Sequence, residues 1–234
     1  MRTLGIPALV LAVVVTWEPP RYAAAQASDE IERIDKSITV LRDLTSTPDN
    51  GIPQYLLERA EGIVVIPNLV KGGFVVGAKH GTGLVSVRER NRNTWSEPAF
   101  IHMTGGTIGW QIGVQSTDLV LLVMNRKGVD DLLSDKFTLG GSLSVAAGPV
   151  GRSGDAATDA KVSSQILAYS RSKGLFAGAT LDGSAIHADD SGNEAFYGRK
   201  NSLRSIVNAT EPLSKYPAVA GRWINTLKSV TGNK

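Results

Sequence analysis

The stretch GIVVIPNLVKGGFVVGAKHGTGLV, residues 62–85, decides the fold. Valine and isoleucine dominate its apolar runs, and glycines interrupt those runs every few residues. β-branched residues favour strands, whereas glycine within such a pattern is typical of turns, bulges and close backbone approach. The stretch therefore predicts three short strands, at 63–66, 73–78 and 83–88, with Gly81-Thr82-Gly83 forming a hairpin turn.

Further strand patterns follow this stretch towards the C-terminus. They lie at 99–103, 107–114, 118–124, 137–145, 163–170, 175–181 and 184–187, with a brief helical interruption near 129–133. Because turn residues separate neighbouring patterns at short intervals, we expect the strands to pair as antiparallel hairpins. The 25 glycines, several of them inside strand patterns, indicate strong curvature. Residues 62–198 are therefore predicted to form a strongly curved, β-rich antiparallel barrel or sandwich.

Helical patterns flank this core on both sides. Between residues 29 and 44, apolar residues recur at steps of three and four, with Ser28 or Asp29 as the N-cap. A second short helix is expected from Pro53 to Ala60. Near the C-terminus, Pro217 precedes a helical apolar stripe formed by Ala220, Trp223, Ile224, Leu227 and Val230. The chain is therefore predicted to be α+β, with a helical segment at 29–61 and a C-terminal helical arm at 199–234.

The N-terminus has the features of a cleavable signal peptide. Arg2 is followed by an apolar run from Leu4 to Val15, too short to cross a hydrocarbon core of roughly 30 Å. Small residues then offer cleavage after Ala25 or after Ala27, the second being preferred; an uncleaved membrane anchor is the alternative. We expect a signal peptide at 1–27, a single domain at 28–234, and a periplasmic or secreted protein peripheral to the membrane.

Composition excludes several classes of protein. The chain has no cysteine, which removes disulfides, thiolate metal sites and an acylated cysteine. Its net charge of +3 argues against nucleic-acid binding. The positive charge is concentrated in the arm at 199–234, where the basic residues Arg199, Lys200, Arg204, Lys215, Arg222, Lys228 and Lys234 accompany a single acidic residue, Glu211.

Motifs for catalysis or metal binding are weak. Ser170-Arg171-Ser172-Lys173 matches S-x-x-K, but no S-D-N, K-T-G or G-x-S-x-G element accompanies it. The histidines His80, His102 and His187 lie far apart and lack zinc-ligand spacing, so no metal or cofactor is predicted. The acidic cluster Asp189–Glu194 predicts a turn that caps a hairpin, with weak calcium binding as the alternative.

Two features indicate contact with lipid. The helix at 29–44 is interpreted either as a core helix or as an interfacial helix that inserts its apolar face into a membrane. The basic residues in and near the predicted hairpin at 71–92 are interpreted by default as a solvated face, and alternatively as a patch that binds anionic headgroups. The candidate lipid-binding residues are Ile31, Ile34, Ile38 and Leu41 on the helix, with Lys71, Lys79, Arg88 and Lys173 as the cations.

Four segments carry a family resemblance. They are residues 62–85, TWSEPAFIHMTGGTIGWQIGVQSTDLVLLVMN (94–125), LGGSLSVAAGPVGR (139–152) and YSRSKGLFAGATLDGSAI (169–186). Together they closely resemble the SYLF domain, a lipid-binding domain that also occurs in eukaryotic proteins beside SH3 or FYVE modules. The resemblance covers roughly residues 30–200. Eukaryotic members resemble phosphoinositide binders that use an N-terminal amphipathic helix, and some yeast members also bind actin.

The resemblance implies non-catalytic binding of membrane phospholipid through anionic headgroups, and it brings no catalytic residue. Export to the cell envelope would separate this chain from cytosolic actin. Two alternatives stay open. One is an envelope hydrolase that uses Ser170 and Lys173; the other is a structural or host-interaction module that binds a protein through the arm at 199–234. The oligomeric state is left open.

Overall fold

A computed structural model describes residues 21–46, 51–89, 91, 93–134, 137–140, 144–149, 165–172, 175–177, 181, 183–209 and 215–232. The helices are α1 Arg21–Thr45, α2 Gln54–Arg59, α3 Arg126–Leu132, α4 Asp190–Tyr197, α5 Leu203–Val207 and α6 Ala218–Val230. The strands are β1 Gly62–Glu89, β2 Thr94–Trp95, β3 Ala99–Val123, β4 Phe137–Thr138, β5 Val145–Ala147, β6 Ile166–Ser172, β7 Leu175–Ala177 and β8 Ala185–Ala188. The predicted α+β class is confirmed.

A long two-stranded ribbon forms the centre of the sheet. β1 and β3 pair antiparallel from Gly62 opposite Val123 to Val85 opposite Ala99. The prediction of several short strands is wrong here, because each strand continues through its glycines. Gly81-Thr82-Gly83 lies within β1 and does not form a hairpin turn.

The glycines of β1 serve close backbone approach instead of turning the chain. A Cβ atom on Gly83 would lie 2.1 Å from the carbonyl oxygen of Val65, and one on Gly81 would lie 2.7 Å from Cγ2 of Ile66. The two ends of the ribbon therefore pack against each other at a separation that only glycine permits. Register shifts between Ile66 and Leu69 and between Gly73 and Val75 interrupt the ladder along the way.

The other strands extend the two ends of the ribbon. β6 pairs antiparallel with residues 118–123 of β3, whereas β8 pairs with residues 101–104 and β4 with β8. β5 joins β6 in parallel, so the sheet is mixed and not antiparallel throughout. The sheet curls through 244° into a half-barrel, which confirms the strong curvature.

Both faces of the ribbon ends are covered. Along β1, Ile63 and Val65 belong to one core cluster, which contains the apolar faces of α1, α2 and α6 and Phe196 of α4. Val64 and Ile66 point into a second cluster, which includes residues of α3 and α5. An apolar run without alternation is typical of a strand buried on both faces, which explains the sequence IVVI at 63–66.

The flanking helices agree with their sequence patterns except at one boundary. α2 and α6 lie where they are predicted, and the α6 stripe is buried, with the indole nitrogen of Trp223 donating to Ser86 Oγ at 2.8 Å. α1 begins at Arg21, well before the predicted start at Ser28 or Asp29. Residues 1–20 lie outside the described residues, and the cleavage sites stay a prediction. In the described part of the chain, no helix has the length and apolar character needed to span a bilayer.

Candidate functional site

The apolar face of α1 packs on the sheet. Ile34 and Leu41 are fully buried, Ile38 is nearly so, and Ile31 is partly buried against the same cluster. This placement agrees with the core-helix interpretation of residues 29–44. The four apolar residues considered for lipid insertion contribute to the core, so they would meet lipid only if α1 left the sheet.

The described basic residues considered for lipid binding do not converge on one surface. The Arg88 guanidinium donates to the carbonyl oxygens of Ala60 at 2.9 Å and Leu57 at 3.2 Å, and it stacks over the Trp95 ring at 4.7 Å. These contacts indicate a structural role for Arg88.

The two described lysines of that group, Lys71 and Lys79, have different surroundings. Lys79 is only 6% exposed, and its ammonium group donates to the buried hydroxyl of Ser184 at 3.1 Å. Lys71 is partly exposed on β1, and Lys173 lies outside the described residues. Lys71 is therefore the one described lysine of the group that is open to solvent.

The serine of the hydrolase alternative is inaccessible. Ser170 lies on β6 opposite Leu119 and is 5% exposed, while Lys173 lies outside the described residues. A nucleophile must reach its substrate, so the burial of Ser170 weighs against this alternative.

The middle of the ribbon is the part that the core does not cover. We call residues 70–78 of β1 and 106–116 of β3 the ribbon bend. No side chain described in the bend is buried, and no other described strand pairs with it. Val70 and Val114, 44% and 78% exposed, are the large apolar side chains on the surface of the described residues.

These two valines lie on one face of the bend. Val70 is opposite Ser116 and Gly72 is opposite Val114, which makes the valines diagonal neighbours. The sequence around them contains no charged residue from 99 to 117, and none between Lys71 and Lys79. Its apolar members include Phe74, Ile108, Trp110 and Ile112. The bend thus combines exposed apolar surface with a sequence in which Lys71 is the single charged residue.

A polar cleft lies at the root of the bend, between α1 and β1. It encloses about 330 Å³. One wall carries the α1 residues Asp29, Glu32, Arg33 and Lys36, whose spacing puts them on one helix face. The opposite wall consists of residues 67, 68 and 70 and residues 80–82 of β1. Val70 belongs to both the cleft and the exposed face of the bend.

A profile described as Ysc84, Las17-binding protein actin regulator, matches residues 104–230. The chain belongs to this family. It is 38% identical over 184 residues to protein YSC84 of Saccharomyces cerevisiae, covering 77% of this chain and 38% of the yeast protein. LAS seventeen-binding protein 3 of the same yeast is 37% identical, covering 68% and 35%. Human SH3 domain-containing YSC84-like protein 1 is 33% identical, covering 69% and 48%.

This membership confirms the SYLF resemblance drawn from the sequence. The chain spans between about a third and half of the length of these relatives. The name of the second yeast relative refers to binding of Las17, and the family description refers to Las17 binding and actin regulation.

Beneath the cleft, a buried ionic cluster joins α1 to α4. Arg33 Nη1 lies 2.8 Å from Asp189 Oδ2 and 3.2 Å from Glu30 Oε2. Burial raises the pKa of Glu30 to about 7, although the charge of Arg33 opposes the shift. Burial alone would raise the pKa of Asp189, but hydrogen bonds from Arg33 and from the Gly192 amide hold it below its ordinary value.

Asp189 begins a helix and does not cap a hairpin. Its carboxylate accepts a hydrogen bond from the Gly192 amide and caps α4, so the predicted turn at Asp189–Glu194 is wrong. Asp and Gly favour both turns and helix starts, and the strand pattern that precedes them is compatible with either.

The sheet brings together histidines that are distant in sequence. His102 and His187 are opposite each other in β3 and β8, with ring centroids 5.6 Å apart, and His80 follows diagonally on β1. Burial lowers the pKa of His102, and the two other histidines add to this effect. Among the described residues, no three metal-ligating side chains are arranged to hold a metal ion.

A second groove, of about 450 Å³, separates α1 from α6. Its charged residues are Arg42, Arg222 and Asp35, and Arg222 donates to both oxygens of Asp35 at 2.7 and 3.0 Å. This groove has an excess of positive charge, whereas the cleft at the bend balances two carboxylates against two cations.

The sequence interpretation missed Val70, Val114 and the cleft. Two signals for them were present: the charge-free stretch at 99–117, and four charged residues at helical spacing from Asp29 to Lys36. Both are weaker than the apolar pattern of α1, which dominates the sequence of that region.

Proposed function

We propose that this chain binds phospholipid membranes without catalysis and that the ribbon bend is the part that enters the lipid interface. The observation that carries the proposal is the exposure of Val70 and Val114 on one face of the ribbon bend, whose single charged residue is Lys71. Apolar side chains grouped on an uncovered surface are typical of sites that bind a protein or a membrane.

The energetics favour a lipid surface as the occupant. Each valine would contribute about 1 kcal/mol when its exposed area leaves water. Tryptophan is enriched at membrane interfaces, and the bend sequence contains Trp110. Lys71, beside Val70, would add about 1 kcal/mol near an anionic leaflet. Apolar insertion and attraction to anionic headgroups then act at the same place.

In this proposal α1 is a scaffold. Withdrawing Ile34 and Leu41 from the core would expose two fully buried side chains, at a cost of roughly 2–5 kcal/mol for each of them. The bend meets lipid without that cost. The proposal therefore assigns insertion to the bend and differs from the helix insertion that the family resemblance implies.

The proposed location is the cell envelope, with the protein periplasmic or secreted and peripheral to the membrane. The signal-like sequence at 1–27 supports it. The names of relatives refer to binding of Las17, and the family description refers to actin. An exported chain would meet envelope lipid in place of these partners, so actin serves as the comparison ligand in the test.

The test is flotation of residues 28–234 with anionic phospholipid vesicles at low salt, beside sedimentation with actin filaments. We expect flotation, and a loss of about tenfold or more in vesicle binding for the double variant Val70→Asp, Val114→Asp. The control, Ser229→Asp on the exposed side of α6, adds a negative charge elsewhere and should float like the wild type.

Two results would contradict the proposal. A wild-type protein that sediments with actin and does not float would make the membrane function wrong. A double variant that floats as well as the wild type, with its thermal unfolding unchanged, would make the bend the wrong contact.

A further inference from the structure

The cleft at the root of the bend has the position of a headgroup site, provided that the proposed membrane function holds. Val70 lines the cleft and is also one of the two exposed valines of the bend. When the bend enters the apolar edge of a bilayer, the adjoining cleft lies beside the headgroups. Its volume of about 330 Å³ suits a small polar group.

The charges of the cleft are balanced and accessible. The Lys36 ammonium lies 2.8 Å from Glu32, and both side chains are more than half exposed, so their pairing is easily exchanged for a ligand. Asp29 is exposed and has no ion-pair or hydrogen-bond partner in the described part of the chain. His80 and Asn68 supply polar groups from the opposite wall.

Arg33 differs from these groups because its guanidinium already forms ion pairs within the protein. It is held between Glu30 and Asp189 below the cleft, where it fixes the position of α1. The groups left for a ligand are therefore the carboxylates of Asp29 and Glu32 and the ammonium group of Lys36, with neutral donors beside them. A purely anionic ligand would meet the two carboxylates, and a purely cationic ligand would meet Lys36. A ligand that carries both charges satisfies each of them.

The type of cation can be inferred as well. Quaternary ammonium groups are recognised by aromatic rings, and no aromatic side chain other than the imidazole of His80 is among the described residues that line the cleft. Carboxylates instead accept hydrogen bonds from a primary ammonium group. We infer that the cleft binds the zwitterionic phosphoethanolamine headgroup, with Asp29 and Glu32 accepting from its ammonium group and Lys36 pairing with its phosphate.

The test compares two sets of vesicles with the same anionic fraction, one completed with phosphatidylethanolamine and the other with phosphatidylcholine. We expect the wild type to bind the first set about fivefold more tightly. The double variant Asp29→Asn, Lys36→Gln keeps the net charge and should bind both sets equally. The matched control Lys127→Gln, Asp131→Asn removes another exposed helical ion pair and should retain the preference.

A second measurement separates this inference from the membrane proposal. Titration with soluble O-phosphoethanolamine should shift the amide NMR signals of Lys36 and His80 in the wild type and not in the double variant, while phosphocholine leaves them in place. Equal binding to both vesicle sets, with no such shifts, overturns the headgroup site and leaves membrane binding standing. Failure to float with either set overturns the membrane proposal. The soluble titration then shows by itself whether the cleft binds phosphoethanolamine.

Discussion

The two ends of the β1–β3 ribbon and the bend between them are built from the same kinds of residues but meet different surroundings. At the ends, residues 62–66 and 119–123 are all buried, with helices over one face and the curled sheet over the other. In the bend, no described side chain is buried, although valine occurs in both regions; glycine is more frequent in the bend. The comparison teaches that apolar composition alone did not separate the buried strand ends from the exposed bend; the covering helices did.

The largest expected effect on stability comes from adding a side chain at the glycine where the two ends of the ribbon pack most closely. Gly83→Ala would place a methyl group 2.1 Å from the Val65 carbonyl, and we expect a loss of roughly 4 kcal/mol or failure to fold. Gly106→Ala in the bend meets nothing within 4 Å and should change stability by less than about 0.5 kcal/mol. Urea unfolding measures both, and equal losses would contradict the comparison.

The next effect separates core side chains from bend side chains. Leu41→Ala should lower the free energy of unfolding by about 2–5 kcal/mol, because the side chain is fully buried between α1 and the sheet. Val114→Ala should leave stability nearly unchanged but weaken vesicle binding. Denaturant unfolding and flotation of the two variants provide the measurements. Equal stability of the two variants would show that the bend is as well packed as the core.

A third prediction concerns Glu30 of α1, which lies below the cleft at the boundary between the ribbon ends and the bend. Because the pKa of Glu30 is raised to about 7, the folded state holds this proton more tightly than the unfolded state. Stability from this group is therefore complete below pH 4.5 and is lost as the pH rises towards and through 7.

Glu30→Gln should remove this pH dependence. The variant should be more stable than the wild type at pH 8, by at most about 3 kcal/mol, with the advantage shrinking as the pH falls to 5. Thermal unfolding across this pH range measures the difference. Glu32→Gln, on the exposed side of the same helix, is the control and should show no such trend; a constant difference for Glu30→Gln would contradict the raised pKa.

The smallest expected effect concerns the charge beside the bend. Lys71→Gln should weaken binding to anionic vesicles by about 1 kcal/mol, close to fivefold, at low salt and progressively less at high salt. The exposed Lys200, on the C-terminal arm, provides the control through Lys200→Gln. Flotation over a salt series measures both, and equal effects would assign the attraction to the whole protein and not to the bend.

Much of the fold could be predicted because its signals are local. The stripes of α1 and α6 and the proline that begins α6 follow from helical spacing, and the structure buries these stripes. The continuity of β1 could not be predicted from residues 81–83. A glycine needed for a close crossing looks the same in sequence as a glycine in a turn, and the atom it avoids, the Val65 carbonyl oxygen, lies far away along the chain.

The candidate site was harder to predict than the fold. Arg88 and Lys79 were chosen for their charge, but backbone carbonyls and Ser184 engage them. The sequence does not show that Lys79 lies beside Ser184, which is more than a hundred residues away along the chain. A buried cation can be recognised only from the polar groups that pack around it. Val70 and Val114 became candidates only when the surrounding surface was known.

The sequence by itself determined the helical flanks, the β-rich core, the strong curvature and the family, since spacing, β-branched residues and glycine act locally. Only the tertiary structure decided which apolar residues are covered. It placed the face of α1 on the sheet, brought His102 beside His187, and left the middle of the ribbon exposed. The physical reason is that a residue is buried only when another surface packs against it, and the sequence does not state which segments pack together.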